Sequence, residues 1–493
     1  MLPFAGVGSL VAAEEAKALE SIEQEMLGDG DVDALTSLPA QGLSAQDVMQ
    51  RATALQEADL NDEAQVKKWG GVYHINTAEH VDPLFDLQAD VWKLFNATNA
   101  LYPMVFKAVR KFQAEIVEMV LDMVRAKDAA GRPTAGEVGL LTSGGTESIC
   151  LAMYALKKFA AKSRGVVQPE IITCDSAHGA LDKACAYFDI KLVKVQPGPD
   201  FRMQVQDVQK HLNANTICVY TSAPSFPHGV MDPIAAIGEV CLAAGVPVHV
   251  DNCMGGIVAS MCKKAGLLQA EFDFNVPGVT TMSVDCHKFG QASKGASVVA
   301  FRDNTIRQCS YTPVLDWSGG FYVTPTMQGS RNGAIIASAW ATMVHKGADG
   351  YMAMSKNVHA ILQRGIAAVQ AIPQLKVAGT PDLCMLPMVW AEPSEAAKIY
   401  AVAAGMSKRG WGLATLQRPA CINITVAEQY MWSLDAFIAD LTEVAAQVQD
   451  VPLGELSGVA GVYGSAAVMP DDKMENALKA FCDMQMKVKP LAN

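Results

Sequence analysis

The chain has 493 residues, half of them hydrophobic and 18% charged, which excludes disorder for its bulk. At ~100–200 residues per domain it makes two to four units, or one large α/β domain with appendages. Its 39 Lys and Arg against 51 Asp and Glu leave a net charge of −12, which argues against a nucleic-acid binder or a polybasic membrane-surface protein.

Met1 to Ala13 is apolar and ends at Glu14-Glu15. A bilayer span needs roughly 20 residues, and a secretory signal needs a basic start, so neither is expected. Residues 14–68 are acidic and helix-prone, broken at Gly28-Asp29-Gly30-Asp31 and Leu38-Pro39, and read as an arm of short helices. Apolar spacing predicts helices over 82–98 and 106–124. Strands are expected at 137–141, 170–174, 191–195, 216–221, 247–251, 280–284 and 296–301. Helical patterns at 181–188, 204–213 and 234–244 separate several of them, which points to an α/β domain with a largely parallel sheet. After Gly350 another long helix leads into a smaller α+β region. The expected division is 1–98 (helical arm), 99–357 (large α/β domain) and 358–493 (small domain).

The twelve cysteines include no C-x-x-C pair, and no H-E-x-x-H occurs. Free buried thiols in a reducing compartment, and no metal site, are the expectation.

Four segments near strand ends carry candidate chemistry, and ligands in open α/β sheets bind there. Thr142-Ser143-Gly144-Gly145-Thr146-Glu147-Ser148 reads either as a tight turn capped by Thr146 or as a phosphate seat at a helix start. Asp251 ends the apolar Val248-His249-Val250, either as a structural cap or as a carboxylate facing a cationic ring nitrogen. In Ser283-Val284-Asp285-Cys286-His287-Lys288, Lys288 is either an ordinary lysine or an amine whose pKa desolvation lowers for Schiff-base chemistry. His178 follows a strand in Ser176-Ala177-His178. Together the four supply what pyridoxal 5′-phosphate requires: an amine, a carboxylate for the ring nitrogen and an anion seat.

In that combination the sequence resembles fold-type-I pyridoxal-phosphate enzymes of the group II decarboxylase family, and most closely its sphingosine-1-phosphate lyase branch. The resemblance runs through Leu38-Pro39-Ala40-Gln41-Gly42-Leu43-Ser44, Gly71-Val72-Tyr73, Glu115-Ile116-Val117 and Thr142 to Ser148. It continues in Phe226-Pro227-His228-Gly229, His249-Val250-Asp251 with Gly255-Gly256, and His287-Lys288 with Lys294-Gly295. Asp316-Trp317, Gly319-Gly320, Gly329-Ser330-Arg331 and Val462-Tyr463-Gly464 complete it.

The resemblance implies a pyridoxal-phosphate fold with a homodimer and shared active sites. Lys288 resembles the lysine that bonds the cofactor, Asp251 the partner of the ring nitrogen, and His178 the residue stacked on the ring. Gly145, Thr146 and His287 resemble contacts to the cofactor phosphate. Tyr73, Lys294 and an Arg331 from the neighbouring subunit resemble residues that hold a substrate phosphate. Asn99-Ala100-Leu101-Tyr102-Pro103 departs from the family pattern, because Tyr102 stands where a histidine usually lies near that phosphate. Tyrosine donates a hydrogen bond but carries no positive charge near neutral pH.

The implied reaction is retro-aldol cleavage of a phosphorylated sphingoid base into a fatty aldehyde and phosphoethanolamine. The alternatives are an amino-acid α-decarboxylase on the same scaffold and a catalytically silent homologue with a binding role. A soluble, cytoplasmic location is expected of the chain as it stands, with endoplasmic-reticulum association if an N-terminal anchor precedes it.

Overall fold

The computed structural model describes Leu35, Ser37, Pro39, Lys67 and Tyr73, and residues 41–59, 80–128, 130–134, 136–452 and 471–488. The apolar start, the 28–31 break, Gly71-Val72 and Val462-Tyr463-Gly464 lie outside the described residues. In the arm, α1 spans Ala45–Asp59. Ser44 precedes it and caps it, with Oγ accepting the Asp47 N–H at 3.1 Å and donating to Asp47 Oδ2 at 2.7 Å.

Helices α2 (Leu84–Phe95) and α3 (Lys107–Val124) come next. On α3, Val109, Ile116, Val117, Val120, Leu121 and Val124 are buried, a helical stripe that holds it to the core. The chain then alternates through β1 (Val138–Thr142), α4 (Gly145–Arg164), β2 (Glu170–Cys174), α5 (Ala180–Phe188) and β3 (Lys191–Val195). It continues with α6 (Val205–His211), β4 (Thr216–Ser222), α7 (Ile234–Ala243), β5 (Val248–Asp251), α8 (Gly256–Lys264), β6 (Val279–Asp285) and β7 (Ser297–Phe301).

These strands form one sheet in the order β1-β7-β6-β5-β4-β2-β3. Only β7 runs against the others: it pairs antiparallel with both β1 and β6, and the remaining pairs are parallel. Strands β2, β4, β5 and β7 are buried along their whole length, as helices on both faces require, and so they read as largely apolar runs without an exposed polar face. Alternate residues enter two cores. Ile172, Val219 and Val298 pack on one face, and Ile171, Cys218 and Val299 on the other. The edge strand β3 instead exposes Lys191 and Lys194, which discourages pairing with another edge.

After the short α9 (Asn304–Gln308), α10 runs over Gly333–Gln370, broken at Gly347 where φ is 57°. It begins well before the start expected after Gly350. Gly333 looks like a breaker in sequence, but here it permits close packing: a Cβ at this position would overlap the Thr98 side chain. Asn332 caps the helix by accepting the Ala334 N–H at 2.8 Å. The remaining elements are β8 (Leu375–Val377), β9 (Met385–Trp390), α11 (Lys398–Lys408), β10 (Ala414–Leu416), β11 (Cys421–Thr425), α12 (Tyr430–Gln449) and α13 (Asp471–Met484). The four strands make a second, wholly antiparallel sheet in the order β10-β11-β9-β8. Among the described residues no helix is long and apolar enough to cross a membrane.

Candidate active site

The parallel strands aim their carboxyl ends at one edge of the large sheet, where the segments after β1, β2, β4, β5 and β6 meet. They enclose a cavity of about 460 Å³. Of the residues singled out from sequence, Tyr73, Gly145, Thr146, His178, Asp251, His287 and Lys288 all line it.

The floor of one end is the start of α4. Its first-turn N–H groups have no acceptor within the helix and point a partial positive charge at the cavity. Thr146 is not the cap: Gly144 holds that position and no side chain caps it. Glu147 reaches back instead, and its Oε2 accepts the Ser143 N–H and the Ser143 hydroxyl, each at 2.7 Å. That ties the turn while leaving the N–H groups of Gly145 and Thr146 open. Glycine is required at 145 by close approach, since a Cβ there would stand 2.7 Å from Cys253 Sγ and 3.0 Å from both Asp285 oxygens. His287 borders the same end, with its Cε1 3.4 Å from where a Gly144 Cβ would be. Its Nδ1 accepts the Ala296 N–H at 3.2 Å, so Nε2 is the nitrogen that carries a proton, 3.5 Å from Asp285 Oδ2.

Lys288 lies three residues beyond the end of β6, with Nζ 2.9 Å from Asp285 Oδ2. Burial works against the lysine's charge, but the Asp285 carboxylate outweighs it and raises the amine above its ordinary value. This corrects the expectation of a lowered lysine: Lys288 is an ammonium held by a buried carboxylate. Asp285 is likewise held well below the usual carboxylate range, because Lys288 and His287 overcome the effect of its burial. Its Oδ1 has no hydrogen-bond partner among the described residues.

Asp251 ends β5 and is buried. Burial pushes its carboxyl up, yet His178, the Tyr220 hydrogen bond and Lys288 together bring it below its ordinary value. It is an anion in a buried site, as a partner for a protonated ring nitrogen must be. His178 accepts the Ala180 N–H at Nδ1 (3.1 Å), which leaves Nε2 free toward the cavity. Tyr73 packs edge-on against Phe289 at 5.2 Å, and burial raises its phenol so that it stays protonated.

Lys294 stands beside this group, with Nζ 4.5 Å from the Tyr73 ring centre and donating to the His287 carbonyl at 3.0 Å. Burial, reinforced by Lys288, lowers its pKa. Tyr102 and Arg331 are not brought to the cavity of their own chain. Tyr102 is 55% exposed, and Arg331 Nη1 donates to the Leu141 carbonyl at 3.1 Å. Their two loops are stitched together: Ala100 N–H donates to the Arg331 carbonyl at 3.0 Å, and Arg331 N–H donates to Asn99 Oδ1 at 3.2 Å.

Sequence reasoning missed Asp285, Cys253 and Tyr220 as parts of the site. A carboxylate three residues before a candidate lysine was a readable signal for Asp285, whereas nothing local marks a tyrosine inside β4.

The donor set fits pyridoxal 5′-phosphate: an amine, a buried anion and open N–H groups at a helix start share one cavity. Residues 58–378 match the pyridoxal-dependent decarboxylase conserved domain. The chain is 37% identical to the sphingosine-1-phosphate lyase of Arabidopsis thaliana over 98% of its own length and 87% of that protein's. Among solved structures it resembles the Burkholderia pseudomallei sphingosine-1-phosphate lyase, with a TM-score of 0.78 and 30% identity over 84% of this chain and 94% of that one. The Lactobacillus brevis glutamate decarboxylase shares the fold at a TM-score of 0.71 and 18% identity, over 85% and 96% of the two chains.

Proposed function

The chain belongs to the pyridoxal-dependent decarboxylase family and, within it, to the sphingosine-1-phosphate lyases; we propose that it cleaves the C2–C3 bond of a phosphorylated sphingoid base. The products are a fatty aldehyde and phosphoethanolamine. One observation supports this most: a cation, Lys294, stands against Tyr73 beside a cavity that already holds the Lys288 amine and the Asp251 carboxylate. An anionic group on the substrate would pair with Lys294 and offset the partial desolvation and the Lys288 repulsion that lower its pKa.

In this reading the N–H groups of Gly145 and Thr146, with His287, hold the cofactor phosphate. Asp251 would pair with its ring nitrogen, His178 would cover the ring, and Lys288 would supply the amine for its aldehyde carbon. When bound, pyridoxal 5′-phosphate supplies the electron sink for the carbanion left at C2. The Lys288 Nζ, once freed from Asp285, would hold and return a proton at C2. Tyr73, kept protonated by burial, serves as a hydrogen-bond donor to substrate rather than as the base for the C3 hydroxyl.

Tyr102 and Arg331 lie outside their own cavity and, in this reading, complete that of a second copy in a homodimer. Support comes from the apolar surface around their loops, where Met104, Val105, Leu315 and Phe321 are all more than 70% exposed. The functional division keeps 1–98 as an arm, 99–357 as the cofactor-binding domain and 358–493 as the small domain, with its second boundary falling inside α10.

Mass spectrometry of a reaction between cofactor-loaded protein and a phosphorylated sphingoid base tests the function. Fatty aldehyde and phosphoethanolamine are expected. Carbon dioxide release from an amino acid, with no aldehyde from the lipid, would assign the chain to α-decarboxylation instead.

A further inference from the structure

We propose that Tyr220, Ser283, His249 and Thr281 form a one-way hydrogen-bond chain that keeps Asp251 unprotonated, so that the proton it shares with the cofactor stays on the ring nitrogen. The inference rests on the pyridoxal-phosphate reading and concerns the side of Asp251 that faces away from the cavity.

The chain follows from strand register. Tyr220 on β4 lies opposite His249 on β5, which lies opposite Thr281 on β6. Two residues further on, Asp251 lies opposite Ser283. Side chains two apart share a face, so all five groups meet on one side of the sheet. Each is buried.

The direction of every proton is then determined by what each group can do. The Asp251 carboxylate only accepts: Oδ2 takes the Tyr220 O–H at 2.6 Å, and Oδ1 takes the Cys253 N–H at 3.1 Å. Ser283 Oγ lies 3.3 Å from Oδ1 and 3.4 Å from His249 Nε2. Its single proton goes to the carboxylate, so it must accept from His249 Nε2–H. Burial lowers His249 to about 4, despite the opposing pull of Asp251, and the ring is therefore neutral. With its proton on Nε2, the bare Nδ1 accepts the Thr281 O–H at 2.9 Å. Thr281, His249 and Ser283 thus donate in sequence toward Asp251, and Tyr220 donates from the other side. Burial, with Asp251 adding to it, raises the Tyr220 phenol, which remains a donor.

From the cavity side, His178 and Lys288 also favour the anion, while burial keeps the Cys253 thiol protonated. Donors to a carboxylate lower its proton affinity. In an N–H···O pair with the cofactor, that bias leaves the proton on nitrogen, which is the form that withdraws electrons from the substrate. Tyr220, Ser283, His249 and Thr281 are positioning residues, since they act through Asp251.

The test is the nitrogen-15 chemical shift of cofactor labelled at the ring nitrogen and bound to the full chain. The wild type should show the protonated-ring value throughout the pH range in which it stays folded. Tyr220→Phe and Ser283→Ala should each move the shift toward the neutral ring, the double variant further, and Thr281→Val least. Ser283→Thr, which keeps the hydroxyl, should restore it. A double variant that binds cofactor and keeps the wild-type shift would overturn the proposal, as would a neutral ring in the wild type, a result that needs no variant. No visible cofactor band in the wild type would instead overturn the pyridoxal-phosphate reading itself.

Discussion

Lys288 and Asp285 hold each other charged at 2.9 Å. The pair explains how the half-buried amine and the buried carboxylate are tolerated together, since breaking a buried pair leaves an uncompensated charge. Lys288 and Asp251 were legible in the sequence because each is a charge at, or within one turn of, the end of an apolar strand. The spacing of Asp285 before Lys288 was readable too, but not that the pair closes, since that depends on which way the turn folds. Tyr102 was legible only as a departure from a family pattern. For this residue the expected outcome of Tyr102→His is turnover of a phosphorylated sphingoid base that is unchanged or up to about tenfold higher in kcat/KM, the worth of one charge-assisted hydrogen bond. Complete loss of turnover would mean that Tyr102 serves a different substrate.

Among the elements, α4 carries the most exact requirement. A methyl group at Gly145 would press on Cys253 and Asp285 at once. Gly145→Ala should weaken cofactor binding by about tenfold or more, at the scale of the 1–3 kcal/mol typical of overpacking. Equilibrium titration of the cofactor absorption band measures it, and an unaltered affinity would show that the turn has slack. The strands of the large sheet fall within a residue or two of their sequence-based positions, because fully buried strands are short apolar runs between turn signals. Helix α10 was misplaced at its start because Gly333, Gly347 and Gly350 look alike in sequence. Only the packing shows that Gly333 serves a close contact with Thr98 and that Gly347 is the break. The hydrogen-bond chain behind Asp251 was beyond reach for a related reason, as it joins three strands whose adjacency is a matter of topology.

For the whole molecule, the buried histidines set a pH dependence. Burial lowers His228 and His249 from 6.5 to about 4, so both are neutral in the folded chain and take up protons readily only when it unfolds. Their contribution is therefore present above pH 6.5 and lost as the pH falls toward 4, up to about 3 kcal/mol for each. Asp232, raised by burial to about 6, acts in the opposite sense and offsets part of it. His228 stacks on Phe201 at 4.2 Å, and its Nδ1 has no partner among the described residues. His228→Phe should keep the stack and flatten the fall in Tm of the cofactor-free protein across this pH range. An equally steep fall would assign the acid sensitivity to other groups.

At the same scale stands the convergence of five strand-end segments on one cavity that Lys288 lines. Borohydride reduction of the cofactor-loaded protein, followed by peptide mass mapping, tests this most directly. The account predicts a single phosphopyridoxyl adduct, on the peptide containing Lys288, and none in Lys288→Ala. An adduct on any other lysine, or loaded protein that reduction leaves unmodified, would contradict it.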